Sequence, residues 1–437
     1  MVELTVLRRP RGTRDFLPWD MIRRRYVIET IRSVFESYGY DEIETPAFEF
    51  LNVLTAKCGS EVRNQIYAFK DKAGRSLGLR YDLTTPLARV VASYLDLPKP
   101  FKRYCISRVW RYEEPQSGRY REFWQADVDI VGCSEMAADA EVIAVAITCL
   151  ERLGMKNFKV RLNNRKILES ISSEIGVDRE NSLNVFRAID KLDKIGIDGV
   201  KLELSKIGLS KDQVSKIVEY ISVSGSIDSV ERSVVDILND RGKQGFKELV
   251  EIVEELKIYG FSNYVLDLSL ARGLDYYTGP IFEVLAETTV KVGSVAGGGR
   301  YDNLIETIGG PPTPATGISL GIDRIIGVLE EAKMLPTSKT STQLFIAYVN
   351  PSIRAEAIKI ANKLRGEGLR VEIDTMGRKL ERQLKYADTK GIPYTLIVGP
   401  RELELGVYRL RDMINRLEKE VRVEDIAKIL RSVESKY

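Results

Sequence analysis

The sequence predicts an α+β protein, with hairpins and amphipathic helices through most of the chain and a small α/β module at its end. Three stretches carry that reading. Residues Arg103–Gly132, RYCISRVWRYEEPQSGRYREFWQADVDIVG, alternate in two arms near Tyr104–Trp110 and Phe123–Val131, rich in aromatic and β-branched residues. Flanking Pro115, Gln116, Ser117 and Gly118, these arms form the pattern of a β-hairpin. From about Asn164 to Phe261 the period becomes that of amphipathic helices, interrupted by Gly196, Gly199, Gly208 and Gly225. Beyond a linker at Leu335–Thr342, LFIAYV, GLRVEID, PYTLIVG and VYRLRD alternate with helices expected over 353–366 and 379–390 and with a closing helix.

At 437 residues the chain can bury two or three cores. Its 44% hydrophobic and 30% charged residues are ordinary for a globular protein. No apolar run reaches the length of a membrane span, and Met1–Pro10 lacks a signal-peptide pattern, so a cytoplasmic location with no membrane partner is expected. Cys58, Cys105, Cys133 and Cys149 show no Cys-x-x-Cys spacing, which argues for reduced thiols and against structural zinc. The sequence contains no histidine at all, which excludes imidazole metal sites, Ser-His-Asp triads and histidine general bases. A net charge of +3 excludes a strongly basic nucleic-acid binder taken whole. Residues 341–437 nevertheless hold nineteen Lys/Arg against fourteen Asp/Glu, an excess compatible with solvated surface or with a module touching a phosphate backbone.

Taken in order, RRPRGTRDFLP (8–18) suits an extended arm, and Met21–Tyr38 spaces Ile22, Tyr26, Val27, Ile31, Val34, Phe35 and Tyr38 as one helix face. Gly39 stops that helix, and an extended stretch Tyr40–Thr45 ends at Pro46. Residues 66–80 suggest a hairpin turning at Asp71–Gly74, followed by a helix beginning near Thr84 or Thr85, where Thr85-Pro86 fits N-cap and first-turn proline. On the return arm of the central hairpin, Trp124, Ala126, Val128 and Ile130 face one way and Gln125, Asp127 and Asp129 the other. That polar face is either wetted or a binding surface. Arg111, Glu113, Arg119 and Arg121 beside Phe123 and Trp124 suit an anionic, aromatic ligand such as a nucleotide. Residues 136–152 form an apolar helix too short for a membrane, and Phe158–Leu162 a strand. AGGGRYD (296–302) is no Rossmann loop, and Arg324 in ATGISLGIDRIIGVLE (315–330) sits near a helix start, where it opposes the dipole.

Arg111-Tyr112-Glu113 followed by Arg119 and Phe123 resembles the second signature motif of class II aminoacyl-tRNA synthetases. LARGLDYYTGPIFEV (270–284) and AGGGRYDNLI (296–305) are similar to the two motifs peculiar to the histidyl-tRNA synthetase family. The resemblance extends over nearly the whole chain, least between about residues 165 and 260. It implies a class II antiparallel-sheet catalytic domain with a helical insertion, plus a C-terminal α/β anticodon-binding domain. The implied boundaries are 1–164 and 261–334 for the catalytic core, 165–260 for the insertion, 335–342 for the linker and 343–437 for the anticodon-binding domain. Homodimerisation through the first helix, strand and Pro46 is implied, with ATP, Mg2+, L-histidine and tRNA(His) as ligands; the resemblance assigns no magnesium ligands.

The same resemblance implies a role for each site residue. Asp82 and Thr84 would hold the α-ammonium of the amino acid, as a carboxylate and a hydroxyl can. Arg111 would bind the α-phosphate and the substrate carboxylate, Glu113 the adenine amino group and Arg119 the γ-phosphate, while Phe123 would stack on adenine opposite Arg324, which would also contact the γ-phosphate. Arg272 would be a second catalytic cation beside Arg111. Gln125, Asp129, Tyr276, Tyr277 and Tyr301, with Arg111 and Arg272, would form the histidine pocket. Bacterial family members typically carry Glu where Asp129 stands, so this carboxylate sits on a shorter arm. A catalytically silent regulatory or tRNA-sensing relative is the alternative; the intact set Arg111, Arg119, Arg272 and Arg324 argues for the ligase.

Overall fold

The computed structural model describes residues 8–56, 59–115, 119–271, 276–288 and 293–434. It divides into two compact units, one holding residues up to Arg14 with Val27–Leu335, the other Asp15–Tyr26 with Pro336 onward. In the first unit, strands β1 (Asp41–Glu42), β2 (Phe48–Phe50), β3 (Ala68–Lys70), β4 (Ser76–Leu79), β5 (Phe101–Trp110), β6 (Glu122–Val131), β7 (Phe158–Asn164), β8 (Ser224–Gly225), β9 (Tyr264–Asp267), β10 (Pro280–Ala286), β11 (Ser294–Arg300) and β12 (Ala315–Gly321) make two sheets. The larger has the order β1-β5-β6-β12-β11-β10-β7-β9-β8 among the described residues. It is antiparallel except where β1 meets β5 and β7 meets β9. The smaller has the order β2-β4-β3.

The expected central hairpin is β5–β6, in register from Phe101 opposite Val131 to Trp110 opposite Glu122. Of its turn, Gln116, Ser117 and Gly118 lie outside the described residues. The period of two sorts β6 as the sequence requires. Ala126, Val128 and Ile130 enter the main core, where they join Ile143, Ile147 and Leu150 of the helix Met136–Arg152. That helix is apolar almost all round because it lies deep in the core. Each such Ile or Leu contributes about 1.5–3 kcal/mol when fully buried. The helix expected from Met21 begins at Pro18 and ends at Ser37; Val27, Ile31, Val34 and Phe35 form its buried stripe. The sequence foresaw neither β2 nor the shortness of β1, because Pro46 drew the extended stretch to an end at Thr45.

Residues 165–258 are largely helical, in six helices among the described residues: Arg165–Glu174, Arg179–Ile189, Leu192–Lys206, Lys211–Ile221, Ile227–Val234 and Asp240–Ile258. Val185, Phe186, Val200, Leu204 and Ile217 build a separate small core there. Gly196, at φ 67°, kinks the helix Leu192–Lys206, a conformation a side chain would resist.

The second unit has a sheet of order β14-β13-β15-β16-β17, from β13 (Leu344–Tyr348), β14 (Val371–Ile373), β15 (Tyr394–Val398), β16 (Tyr408–Asp412) and β17 (Leu417–Val421). β13 runs parallel to β14 and β15, and β16 and β17 turn back antiparallel. Helices Arg354–Gly366, Leu380–Lys390 and Val423–Glu434 accompany it. β17 was not foreseen, since LEKEV is a charged edge strand with only Val421 buried, and charge of that kind hides the strand period. No helix among the described residues is long and apolar enough to cross a membrane. Cys105, Cys133 and Cys149 are free thiols; Cys58 lies outside the described residues.

Candidate active site

One cavity of about 700 Å3 opens on the face of the larger sheet opposite the main core. Asp82, Thr84, Arg111, Glu113, Arg119 and Phe123 line it, together with Gln125, Asp129, Tyr276, Tyr277, Tyr301 and Arg324. The polar face of β6 is therefore not a wetted one: Asp127 and Asp129 are 3% and 2% exposed. Arg272, with Gly273 and Asp275, lies outside the described residues.

One end of the cavity is cationic. Arg111 follows β5, donates through Nε to the Tyr81 carbonyl at 2.9 Å, and its guanidinium lies 5.2 Å from the Phe123 ring centre. Arg119 donates to both carboxylate oxygens of Glu113, Nη2 at 2.7 Å. Burial works to raise the Glu113 pKa, but the Arg119 bond and charge, with Arg111 and Arg324, outweigh it and hold the group below the usual carboxylate range. Arg324 occupies the first turn of the helix Ile322–Glu331, and its Nη1 donates to the Ser294 carbonyl at 2.7 Å. Asp323 beside it accepts from Arg14 Nη2 at 2.6 Å and from the Trp124 amide at 2.9 Å, fixing that helix start to β6. Three guanidiniums so placed suit phosphate oxygens, and Phe123 offers a flat ring for a base.

The other end is anionic and more deeply buried. Asp82 accepts from the Thr85 amide at 3.0 Å and the Thr85 hydroxyl at 3.2 Å. The helix begins at Thr84, so Asp82 supplies the capping-type bond that the sequence had given to Thr85. Arg103, wholly buried on β5, reaches across the register to put Nη2 2.7 Å from Asp129 Oδ2. Tyr301 donates its hydroxyl to Asp129 Oδ1 at 2.5 Å. Tyr276 packs edge-on against Tyr277 and Tyr301, at 5.0 and 5.8 Å between ring centres. Burial raises the pKa of Asp82 and of Asp129, against the pull of Arg111 and Arg103 on the first and of Arg103 and Tyr301 on the second. Asp127 is pushed up to about 7, by burial first and by Asp129 and Asp82 after it, with Arg103 and Ser319 opposing.

The glycines serve close approach. A Cβ on Gly317 would lie 2.0 Å from Asp129 Oδ1, and one on Gly299 would lie 2.8 Å from the Tyr277 ring. Gly299 therefore makes room for the Tyr277 ring. Arg103, Asp127 and Ser319 are the residues that sequence reasoning passed over. Asp127 was already legible on the polar face of β6, whereas Arg103 and Ser319 become neighbours only through pairing with β6 from either side.

A cavity with guanidiniums at one end and carboxylates at the other can hold a phosphate and an ammonium side by side, and on this sheet it marks the fold of the class II aminoacyl-tRNA synthetases. The family model for histidyl-tRNA synthetase matches residues 12–325, and that for the anticodon binding domain matches residues 343–433. The chain belongs to the histidyl-tRNA synthetase family. It is 40% identical over 430 residues to a histidine–tRNA ligase of Pyrococcus furiosus, covering 98% of this chain and 99% of that one. A Thermococcus kodakarensis protein of the same name is 42% identical over 429 residues, covering 96% and 98%. The solved histidyl-tRNA synthetase of Nostoc sp. superposes with a TM-score of 0.84 at 32% identity, over 97% of this chain and 99% of that one.

Proposed function

We propose that this chain activates L-histidine with ATP and then transfers it to tRNA(His). The observation that carries this reading is the continuity of one cavity from paired guanidiniums to buried carboxylates. In the first step the histidine carboxylate attacks the α-phosphate in line and pyrophosphate leaves. Arg111 holds the carboxylate and the α-phosphate together, Arg119 and Arg324 hold the γ-phosphate, Phe123 stacks on adenine and Glu113 accepts from its amino group. Arg119 has to release Glu113 to do so. Arg272 takes the α-phosphate on the strength of its motif. Asp82, Thr84 and Gln125 receive the α-ammonium; Asp129, Tyr276, Tyr277 and Tyr301 surround the imidazole. Positioning and fixed charge supply the acceleration, since little proton transfer is needed. In the second step a hydroxyl of the terminal adenosine attacks the adenylate carbonyl carbon and AMP leaves; with no histidine in the chain, no protein imidazole serves as base.

Among the described residues no group of three His, Cys, Asp or Glu side chains could cage a metal ion. In this reading magnesium enters as part of the substrate, carried on the triphosphate. The functional unit in this reading is a homodimer. Phe48 and Phe69 on the smaller sheet, 51% and 43% exposed with ring centres 6.4 Å apart, support it as apolar surface that a second copy would cover. The C-terminal module, with its basic excess, meets the tRNA, and the cytoplasm is the working compartment. The test is ATP-dependent attachment of labelled histidine to a tRNA(His) transcript. One solved relative, from Bacillus halodurans, is described as an ATP phosphoribosyltransferase regulatory subunit/histidyl-tRNA synthetase, at 26% identity and a TM-score of 0.76. A protein that binds histidine yet charges no tRNA would favour a silent role of that kind.

A further inference from the structure

We infer that Asp127, between Gln125 and Asp129 on β6, is a direct ligand of the substrate's α-ammonium, a role the motif resemblance does not give it. The inference rests on the histidine-activating reading above and deepens it. Within the pocket, acceptor capacity is unevenly spent. Both Asp82 oxygens already accept from Thr85. Asp129 takes the Tyr301 hydroxyl on one oxygen, and its other oxygen, though without a hydrogen bond, is neutralised by the Arg103 guanidinium 2.7 Å away. Asp127 is 3% exposed and lines the cavity, yet its Oδ1 has no hydrogen-bond partner. An orphaned buried carboxylate oxygen is costly unless something arrives to meet it.

The neighbours dictate what arrives. Gln125 donates from Nε2 to Ser319 Oγ at 2.7 Å, and the Ser319 hydroxyl donates in turn to the Asp127 carboxylate. This relay fixes the Gln125 amide, so that its Oε1, also buried and unpartnered, is left as an acceptor. Gln125 and Asp127 are two apart on one strand face, so their tips can converge on one donor. A charged group with three donors fits two orphan acceptors next to Asp82, and the substrate's ammonium is that group. The charged and titratable groups around Asp127 are Arg103 and Cys105 on β5, Asp129 on β6 and Asp82 before the helix Thr84–Ser93. Two guanidiniums, Arg103 and the Arg111 that reaches Asp82, act on these three carboxylates, which leaves a negative remainder for a cation to neutralise.

The test is Asp127→Asn in histidine-dependent ATP–pyrophosphate exchange, with 3-(imidazol-4-yl)propionate, which lacks the ammonium, as inhibitor. The KM for histidine should rise about 10- to 100-fold, as for loss of a charge-assisted hydrogen bond, while the KM for ATP and the inhibition constant of the propionate stay unchanged. An unchanged KM for histidine overturns the inference, and so does an equal loss for both ligands, which would place Asp127 at the imidazole. If D127N does not fold, D127S takes its place. The wild type supplies a further check through triazolylalanine, whose ring stays neutral near pH 7. Its affinity should rise with pH and level off above about 7 as Asp127 ionises, and a flat profile would overturn the assignment. A wild type with no histidine-dependent exchange is a distinct result: it defeats the functional reading itself and the inference with it.

Discussion

Replacing Gly317 with alanine tests whether the pocket depends on the placement of one carboxylate. The new Cβ would sit 2.0 Å from Asp129 Oδ1 and 2.5 Å from its Cγ, with the Val128 carbonyl at 2.9 Å. Ordinary contact begins at 3.4 Å, so the carboxylate has to retreat. It has little freedom to do so, because Oδ1 holds the Tyr301 hydroxyl and Oδ2 faces Arg103 at 2.7 Å, both partners being buried. Removing one member of a buried ion pair costs about 3–5 kcal/mol, and partial retention by backbone relaxation brings the expected loss to about 3 kcal/mol. The same shift should raise the KM for histidine by roughly 10²-fold. The KM for ATP should not move, since Arg111, Arg119, Arg324 and Phe123 are untouched. Exchange kinetics with each substrate varied in turn, together with a urea melt, read both effects. A wild-type KM for histidine in G317A would refute the claim that Asp129 and its partners shape this pocket.

Other perturbations separate the remaining contributions. Tyr301→Phe deletes only the bond to Asp129 and should raise the KM for histidine about 10-fold or more, read in the same exchange assay. Arg272→Ala should cut adenylate formation by roughly 10²–10³ with the circular dichroism spectrum preserved; a normal exchange rate would remove it from catalysis. Arg119→Ala should weaken ATP far more than histidine, and equal weakening of both would show that its pairing with Glu113 shapes the whole cavity. Asp127 makes stability depend on pH. The folded chain keeps its proton up to about 7 whereas the unfolded chain loses it near 3.8, so stability from this group falls as pH rises between those values. D127N should therefore melt higher than wild type at pH 8 by the equivalent of roughly 2–4 kcal/mol, and the gap should close by pH 4.

Much of this was legible before any coordinates. Alternation along Phe123–Val131 separated core residues from those that line the cavity, because a half-buried strand can sort its side chains only by twos. The helix Met136–Arg152 announced its burial by being apolar almost all round. The motif resemblance named residues that do line one cavity. What stayed hidden depends on contacts between distant segments. Arg103 reads as an ordinary strand charge until β5 and β6 pair and set it opposite Asp129. Gly317 reads as a loose strand residue until Asp129 fills the space a side chain would take. The charged edge strand Leu417–Val421 gave no period to follow.

The central claim, that a phosphate-binding end and an imidazole-binding end form one catalytic cavity, is tested most directly by ATP–pyrophosphate exchange run separately with each of the twenty amino acids. Histidine alone should drive exchange, with discrimination that can reach about 10⁴ because pocket acceptors are left unpaired by other side chains. Exchange with a different amino acid, or with none, would contradict it.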